Sequence, residues 1–253
     1  MKLSGNTIFI TGATSGIGRA LAEAFHSRGN KVIISGRRRA LLDEVAKANP
    51  GIDTVELDVS DAAQIQTVAR HLTEKYPGLN VVINNAGIMP FDDVTGSLDD
   101  AQAVHLINTN LLGPVRVSAA FIEHLKKQPE AFIINNSSVL GFIPIASNAL
   151  YSATKAAIHS YCLSQRFKLR KTSVKVLEIA PPWVDTDLIH KSGDERAMPL
   201  DAFIAETMTL LETATTEVVV EAGRQLREGV GPNEHGVVDY LNQMIEDNPI
   251  PTA

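Results

Sequence analysis

The sequence predicts an α/β protein built on one doubly wound parallel sheet of six or seven strands with helices on both faces. Three observations carry this expectation. Short β-rich runs alternate with amphipathic helical stretches along most of the chain, which specifies a parallel sheet covered on both sides. The first run ends in a glycine-rich loop that opens a helix. Strand, glycine loop and helix together turn main-chain N–H groups and a helix N-terminus toward a phosphate. Finally, the residues able to carry chemistry fall at the predicted ends of strands, where open α/β sheets bind their ligands.

The elements follow in order. Residues 6–10 form a strand that runs into Thr11-Gly12-Ala13-Thr14-Ser15-Gly16-Ile17-Gly18. Ala20, Leu21, Ala24 and Phe25 then share a helical face, and Gly29 stops that helix. The glycine spacing is G-x-x-x-G-x-G, distinct from the dinucleotide fingerprint G-x-G-x-x-G. Residues 31–35 form a second strand ending at Gly36-Arg37-Arg38-Arg39, and a helix through Leu41, Leu42, Val45 and Ala46 stops near Asn49-Pro50-Gly51. Residues 54–59 form the third strand. Ser60 or Asp61 caps a helix over about 61–76, which Pro77-Gly78 ends. Residues 81–84 are the fourth strand and run into Asn85-Ala86-Gly87.

A loop then leads to two helical segments, the second containing Asn110 and Pro114, where the missing N–H predicts a kink. Residues 131–135 are the fifth strand and deliver Ser137-Ser138; a helix carries Tyr151 onward to about residue 171. The sixth strand, 174–179, ends in a stiff Ala180-Pro181-Pro182-Trp183. An excursion with helical pieces occupies about 187–215, and a helix is expected over 216–228. Residues 237–241 read either as a short strand or as the start of a last helix. No repeat or linker divides the chain, so residues 1–253 are expected to form a single domain.

Composition narrows the function. The chain is 44% hydrophobic and 21% charged, an ordinary soluble balance. Its net charge of −6 argues against nucleic acid as the main partner, since phosphate binding needs a basic face. Cys162 is the only cysteine, so no internal disulfide forms. No apolar run approaches the ~20 residues of a membrane span, and the run after Lys2 is too short for a signal peptide. A cytoplasmic location, away from membranes, is expected. The histidines show no His-Glu-x-x-His pattern, His105, His124 and His159 read as helix residues, and no metal is expected. No Gly-x-Ser-x-Gly motif supports a hydrolase.

The chemistry concentrates in Tyr151-Ser152-Ala153-Thr154-Lys155, with Ser138 thirteen residues before the tyrosine. Four residues apart on a helix puts the phenol and the ammonium on one face. A tyrosine titrates near pH 10 in isolation, and a cation within ~4–6 Å favours its phenolate by ~1–3 units. The phenol then serves as a proton donor or acceptor near neutral pH, and the Ser138 hydroxyl is able to bind the same substrate oxygen.

With these residues in this order, the chain resembles the short-chain dehydrogenase/reductase family, a Rossmann-type fold in its compact single-domain form, over about residues 6–186. The resemblance implies that Gly12, Thr14, Ser15, Gly16, Ile17 and Gly18 hold the cofactor pyrophosphate. Asp58 and Val59 lie beside the adenine, and Asn85, Ala86 and Gly87 lie near the cofactor. Pro181 and Thr186, together with Tyr151 and Lys155, complete the cofactor contacts. It implies four catalytic residues: Tyr151 transfers the proton, Lys155 lowers the tyrosine pKa and holds the nicotinamide ribose, Ser138 polarises the substrate oxygen, and Asn110 binds a water leading from Lys155 to solvent. The implied function is reduction of a carbonyl to an alcohol, or the reverse, by a homo-oligomer, dimer or tetramer.

Departures from the family pattern refine these expectations. Gly36 stands where NAD-preferring members carry an acid, and Arg37 follows with a planar cation suited to a 2′-phosphate. NADP(H) is therefore expected over NAD, although Ser15 replaces a basic residue common among NADP-preferring relatives. Pro182 replaces a usual glycine, and the usual glycine-rich last strand is not evident after residue 229. Met89, Phe91, Leu140, Phe142, Ile143, Trp183, Leu188 and Ile189 are expected to line an apolar substrate pocket. The alternative reading is a nicotinamide-nucleotide-binding regulatory or structural protein that keeps the fold without turnover.

Overall fold

A computed structural model describes residues 1–189, 191 and 193–251. Seven strands form one sheet in the order β3-β2-β1-β4-β5-β6-β7. They are β1 (Thr7–Ile10), β2 (Lys31–Gly36), β3 (Asp53–Glu56), β4 (Leu79–Asn84), β5 (Ala131–Asn136), β6 (Val174–Ile179) and β7 (Glu217–Val218). Every pairing is parallel. The helices are α1 (Gly16–His26), α2 (Arg39–Ala48), α3 (Ala62–Lys75), α4 (Asp100–Ile107), α5 (Gly113–Leu125), α6 (Ala149–Leu169), α7 (Leu200–Thr213), α8 (Glu221–Glu228) and α9 (Glu234–Asp247).

Strand periodicity decides which helix covers which face. Ile8, Ile10, Val81, Ile83, Phe132, Ile134, Leu177 and Ile179 point to one side, against Leu21 and Phe25 of α1, Leu42 and Val45 of α2, and Phe203 and Met208 of α7. The intervening residues Phe9, Val82, Ile133 and Val176 point to the other, against α3, α5 and α6. Because both faces are buried, the strands are nearly continuous apolar runs. The order reverses between β1 and β4, and a cleft opens there beyond the carboxyl ends of the strands, as expected at a topological switch point.

Local chemistry explains most boundaries. Asp61 is the cap of α3, its carboxylate accepting from the amides of Ala63 and Gln64. Asp99 caps α4 in the same way, accepting from Gln102. Pro114 lies in the first turn of α5, within a helical run that continues without a break from α4. The irregularity falls earlier, in a widened π-type turn over Asn108–Leu112 that carries Asn110.

Two expectations for the C-terminal third need correction. The stretch read as helix from 216 begins as β7, because Glu217 and Val218 pair with Glu178 and Ile179 before α8 starts at Glu221. The seventh strand thus exists, upstream of residue 229 and only two residues long. The tail is helical: α9 covers the whole of 237–241. In the excursion, Val184 bridges Met198 and α7 follows; His190 and Ser192 lie outside the described residues.

Nothing in α9 is buried. It meets the body through Leu241 and Ile245, which pack against the small cluster of Met89, Leu106, Ile145 and Tyr151, through Asn242, which donates to Pro144 O (3.1 Å) and accepts from the Ala146 amide (2.5 Å), and just past its end through Arg196 at Asn248 O and Pro249 O. Segments with so few buried contacts open first. Amide exchange measured by mass spectrometry should therefore be at least ~10-fold faster in 234–247 than in β4 and β5; equal protection would show that α9 is part of the cooperative core.

Candidate active site

The glycine loop is clamped to the end of β4. Thr11 Oγ1 accepts from the amides of Asn85 (3.1 Å) and Ala86 (3.2 Å), while Asn85 Nδ2 donates to Thr11 O (3.2 Å) and Gly12 O (2.9 Å). The approach is so close that a Cβ at Gly12 would stand 2.5 Å from Ala86 Cα, and one at Gly18 would overlap the Asn85 amide. Gly12 and Gly16 also have positive φ, 65° and 55°, a region that disfavours side chains. Thr186 packs over Gly16 and is buried. The loop thus leaves a narrow cradle at the N-terminus of α1, of a shape that fits a dinucleotide pyrophosphate.

At the end of β2, a Cβ at Gly36 would lie 2.7 Å from Thr14 Cγ2. Thr14 Oγ1 accepts from the Arg38 guanidinium at 3.2 Å. The sequence points to Arg37 at this position. Arg37 and Arg38 both line the cleft, Arg38 is the one fastened to the glycine loop, and Arg39 turns away to Asp43 (3.0 Å). Asp58 accepts from the Ser60 amide (2.9 Å) and hydroxyl (2.7 Å). Burial would raise its pKa, but these bonds and the Arg37 charge hold it below the usual carboxylate range. Val59 and Gly87 also line the cleft.

Ser138, Tyr151 and Lys155 converge at its floor. Ser138 Oγ accepts from the Leu140 amide at 3.1 Å, donates to Pro181 O at 3.5 Å, and lies within reach of the Tyr151 phenol. Lys155 Nζ stands 5.4 Å from the centre of the Tyr151 ring and donates to Asn136 O at 2.9 Å. The expected lowering of the tyrosine pKa is not found. Burial pushes the Tyr151 phenol above its ordinary value, with only Ser138 opposing. Burial also pushes Lys155 down, to about 8, against the pull of the Glu178 charge. Asn110 is buried in the π-type turn with its carboxamide committed to Ile88, donating to Ile88 O (2.8 Å) and accepting from Ile88 N (2.9 Å). Asn136, which sequence reading did not single out, donates through Nδ2 to Asn85 Oδ1 at 2.8 Å and so joins the Lys155 side of the site to the glycine loop.

The cleft has a volume of about 1380 Å³. Met89, Leu140, Trp183, Leu188 and Ile189 line it as expected. Three expected residues do not. Phe142 is buried edge-on to His159 (4.7 Å), Ile143 is in the core, and Phe91 is exposed. Their place is taken by α9, whose Val237, Leu241, Met244 and Ile245 form the outer wall. That i, i+4, i+7, i+8 spacing was the available signal.

Behind the floor, His159, Glu178 and Glu217 bring three potential metal ligands within 4.8 Å of one another. Their atoms are already engaged. Glu178 accepts from Ser137 Oγ (2.5 Å) and pairs with His159 Nδ1 (2.9 Å), and Arg227 grips both oxygens of Glu217 (2.8 and 3.1 Å).

Comparison with known proteins agrees with this geometry. Residues 6–197 match the family model for short chain dehydrogenases. The chain belongs to the short-chain dehydrogenase/reductase family of oxidoreductases. It is 38% identical over 251 residues to the uncharacterized oxidoreductase DltE of Bacillus subtilis, covering 96% of this chain and 98% of that one. An uncharacterized oxidoreductase of Staphylococcus epidermidis is 34% identical over 202 residues, 79% of this chain and 87% of the other. Among solved structures, a short chain dehydrogenase from Burkholderia cenocepacia in complex with NADP superposes with a TM-score of 0.83 at 24% identity, covering 95% of this chain and 99% of that one. A 3-ketoacyl-(acyl-carrier-protein) reductase from Brucella melitensis complexed with NADH gives 0.80 at 24% identity, covering 88% and 99%. At that identity the structures establish the shared fold. No helix among the described residues is long and apolar enough to cross a membrane.

The clamp makes a steric prediction. Gly18→Ala should drive the Asn85 amide off the Gly12 carbonyl and cost about 1–3 kcal/mol, a fall of ~2–12 °C in Tm. Gly236, in α9, has open space around its Cβ position, so Gly236→Ala should leave Tm level or slightly raised. Calorimetry of the two variants checks the contrast, and equal effects would refute the clamp.

Proposed function

We propose that this protein is an NADP(H)-dependent oxidoreductase that interconverts a carbonyl and an alcohol on an apolar small molecule, with Tyr151 as proton donor and acceptor. The observation that carries the reading is the buried Tyr151 phenol, within reach of Ser138 and one helical turn from Lys155, on the floor of a cleft continuous with the glycine cradle. Gly12, Thr14, Ser15, Gly16, Ile17 and Gly18 would hold the cofactor pyrophosphate. Asp58 and Val59 would flank the adenine. Asn85, Ala86 and Gly87 would lie alongside, Pro181 and Thr186 would border the nicotinamide, and Lys155 would hold its ribose. When bound, the nicotinamide supplies or accepts the hydride.

The chain's own groups manage the proton. A phenol raised by burial stays protonated at neutral pH, so it is ready to donate to a carbonyl oxygen that the Ser138 hydroxyl polarises. In the reverse direction it receives the alcohol proton, and the Lys155 cation stabilises the phenolate needed for that step. Asn110, by fixing Ile88, holds the main chain beside the site. The apolar wall of Met89, Leu140, Trp183, Leu241 and Met244 excludes water and selects an apolar substrate.

Tyr151→Phe keeps the ring and removes the proton. Turnover should fall ~10²–10⁴-fold while cofactor binding, read by fluorescence titration, stays nearly unchanged; Lys155→Ala should weaken both. Retention of more than about a tenth of wild-type turnover by Tyr151→Phe would remove the tyrosine from its role. Oxidation of the reduced cofactor with a panel of ketones and aldehydes supplies the assay, and binding without any turnover would favour a regulatory protein.

Gly36 offers no carboxylate to a ribose and no repulsion to a 2′-phosphate, and Arg37 and Arg38 both face that end of the cleft. One charge-assisted hydrogen bond contributes ~1.5–3 kcal/mol, so kcat/KM should favour NADPH over NADH by roughly 10- to 100-fold, and Arg37→Ala or Arg38→Ala should shrink that ratio. Equal use of the two cofactors, or a ratio that neither variant moves, would refute the phosphate assignment.

We also propose a homo-oligomer formed through α4 and α6. Their exposed Val104, Ile107, Leu163 and Phe167 (49, 36, 49 and 61% accessible) favour such a contact. Light scattering at micromolar concentration should report a dimer or tetramer.

A further inference from the structure

We propose that Glu178 is a positioning residue of the proton-transfer site: its buried carboxylate ties the turn after β5, which carries Ser137 and Ser138, to α6, one helical turn beyond Lys155. The proposal rests on the reading of Tyr151 and Lys155 as the proton-transfer pair. Glu178 does not line the cleft, and its side chain is fully buried on the α6 face of β6. Both oxygens are used on the site's own supports. Oε1 accepts from the Ser137 hydroxyl at 2.5 Å, and Ser137, whose amide donates to Ile179 O at 2.8 Å, is followed directly by Ser138. Oε2 accepts from His159 Nδ1 at 2.9 Å, and since a carboxylate only accepts, the ring proton sits on Nδ1. His159 is one helical turn beyond Lys155 on α6. A single carboxylate therefore fixes the approach of β5 and α6 at the point where their reactive side chains meet.

Charge bookkeeping around Glu178 assigns its second task. Its charge acts on Lys155 and Cys162 of α6 and on Arg227 of α8, His159 of α6 is bonded to it, Glu217 of β7 is its register partner, and Arg166 of α6 lies nearby. Two adjacent carboxylates would repel, but Arg227 grips Glu217 and lies over the Phe142 ring at 4.4 Å, against which His159 packs. Arg166 is spent on the carbonyls of Val176 and Thr216. The Cys162 thiol, pushed up to about 12 by burial and the Glu178 charge, is neutral. Lys155 is buried and donates to the carbonyl of Asn136, the residue before Ser137. Burial disfavours its charge, and Glu178 is the group that opposes this.

The sign is definite. Lys155 is a cation below its pKa, so removing the Glu178 charge must move its titration to lower pH. Glu178→Gln keeps the shape and removes the charge. The titration of Lys155, followed at its side-chain Cε resonance in the protein without cofactor and assigned by loss of that resonance in Lys155→Arg, should move to lower pH by on the order of one unit. The basic limb of the kcat–pH profile should move the same way. Ser137→Ala keeps the charge and cuts the tie; kcat should fall several-fold with the Lys155 titration unmoved. A folded Glu178→Gln variant with an unchanged Lys155 titration would overturn the electrostatic role. A Ser137→Ala variant with wild-type kcat, or with a shifted titration, would overturn the positioning role, and this variant decides the matter if Glu178→Gln does not fold. The resonance titration needs no substrate, so an inactive wild type would refute the proposed function while leaving this coupling separately measurable.

Discussion

The Asn85 carboxamide is the constraint on which the site depends. Its two donor hydrogens close the carbonyls of Thr11 and Gly12, and its oxygen accepts from Asn136. One planar side chain thus joins the ends of β1, β4 and β5, and the carbonyl of Asn136 in turn seats Lys155. Deeper in the sheet, Asn84 bridges Ser118 and Asn135, and Asn135 reaches Cys162 on α6. Strand ends in an open sheet otherwise diverge with the twist. These amides fix their separation, and Gly12 and Gly18 stand where the clamp leaves no room for a side chain.

Burial on both faces sets the electrostatics as firmly as the geometry. Tyr151 and Lys155 are both inside, and burial disfavours the charged form of each. The same burial that keeps the phenol protonated weakens the hold of Lys155 on its proton. A site of this kind works by mutual support among buried groups rather than by any single shifted residue.

Much of this was legible in the sequence, for physical reasons. Apolar runs broken by Gly, Pro and capping residues located the six longer strands and most helices, and of the two cap candidates for α3, Ser60 and Asp61, it is Asp61 that caps. The glycine loop, Ser138, Tyr151 and Lys155 fell at strand ends or on one helix face and meet in the cleft. What was hidden depends on partners distant in the chain. β7 is two residues long and exists only because β6 offers an open edge. Which of three successive arginines reaches the loop is set by the extended backbone of Arg38, φ −100° and ψ 96°. The sense of the tyrosine pKa shift turned on burial, which a Tyr-x-x-x-Lys spacing does not reveal. Phe142 and Ile143 are apolar like cleft residues, but they pack into the interior instead.

The loose attachment of α9 has a consequence for how such a protein diversifies. The outer wall of the cleft contributes no buried residue, whereas Ser138, Tyr151 and Lys155 stand at the end of β5 and on α6. Leu241 and Ile245 pack against the small cluster that holds Met89 and Tyr151, but substitutions at Val237 or Met244 can reshape what the cleft admits. Selection can therefore act on molecular preference and on chemistry as nearly independent traits, and descendants of one ancestral chain can part ways at the C-terminus first.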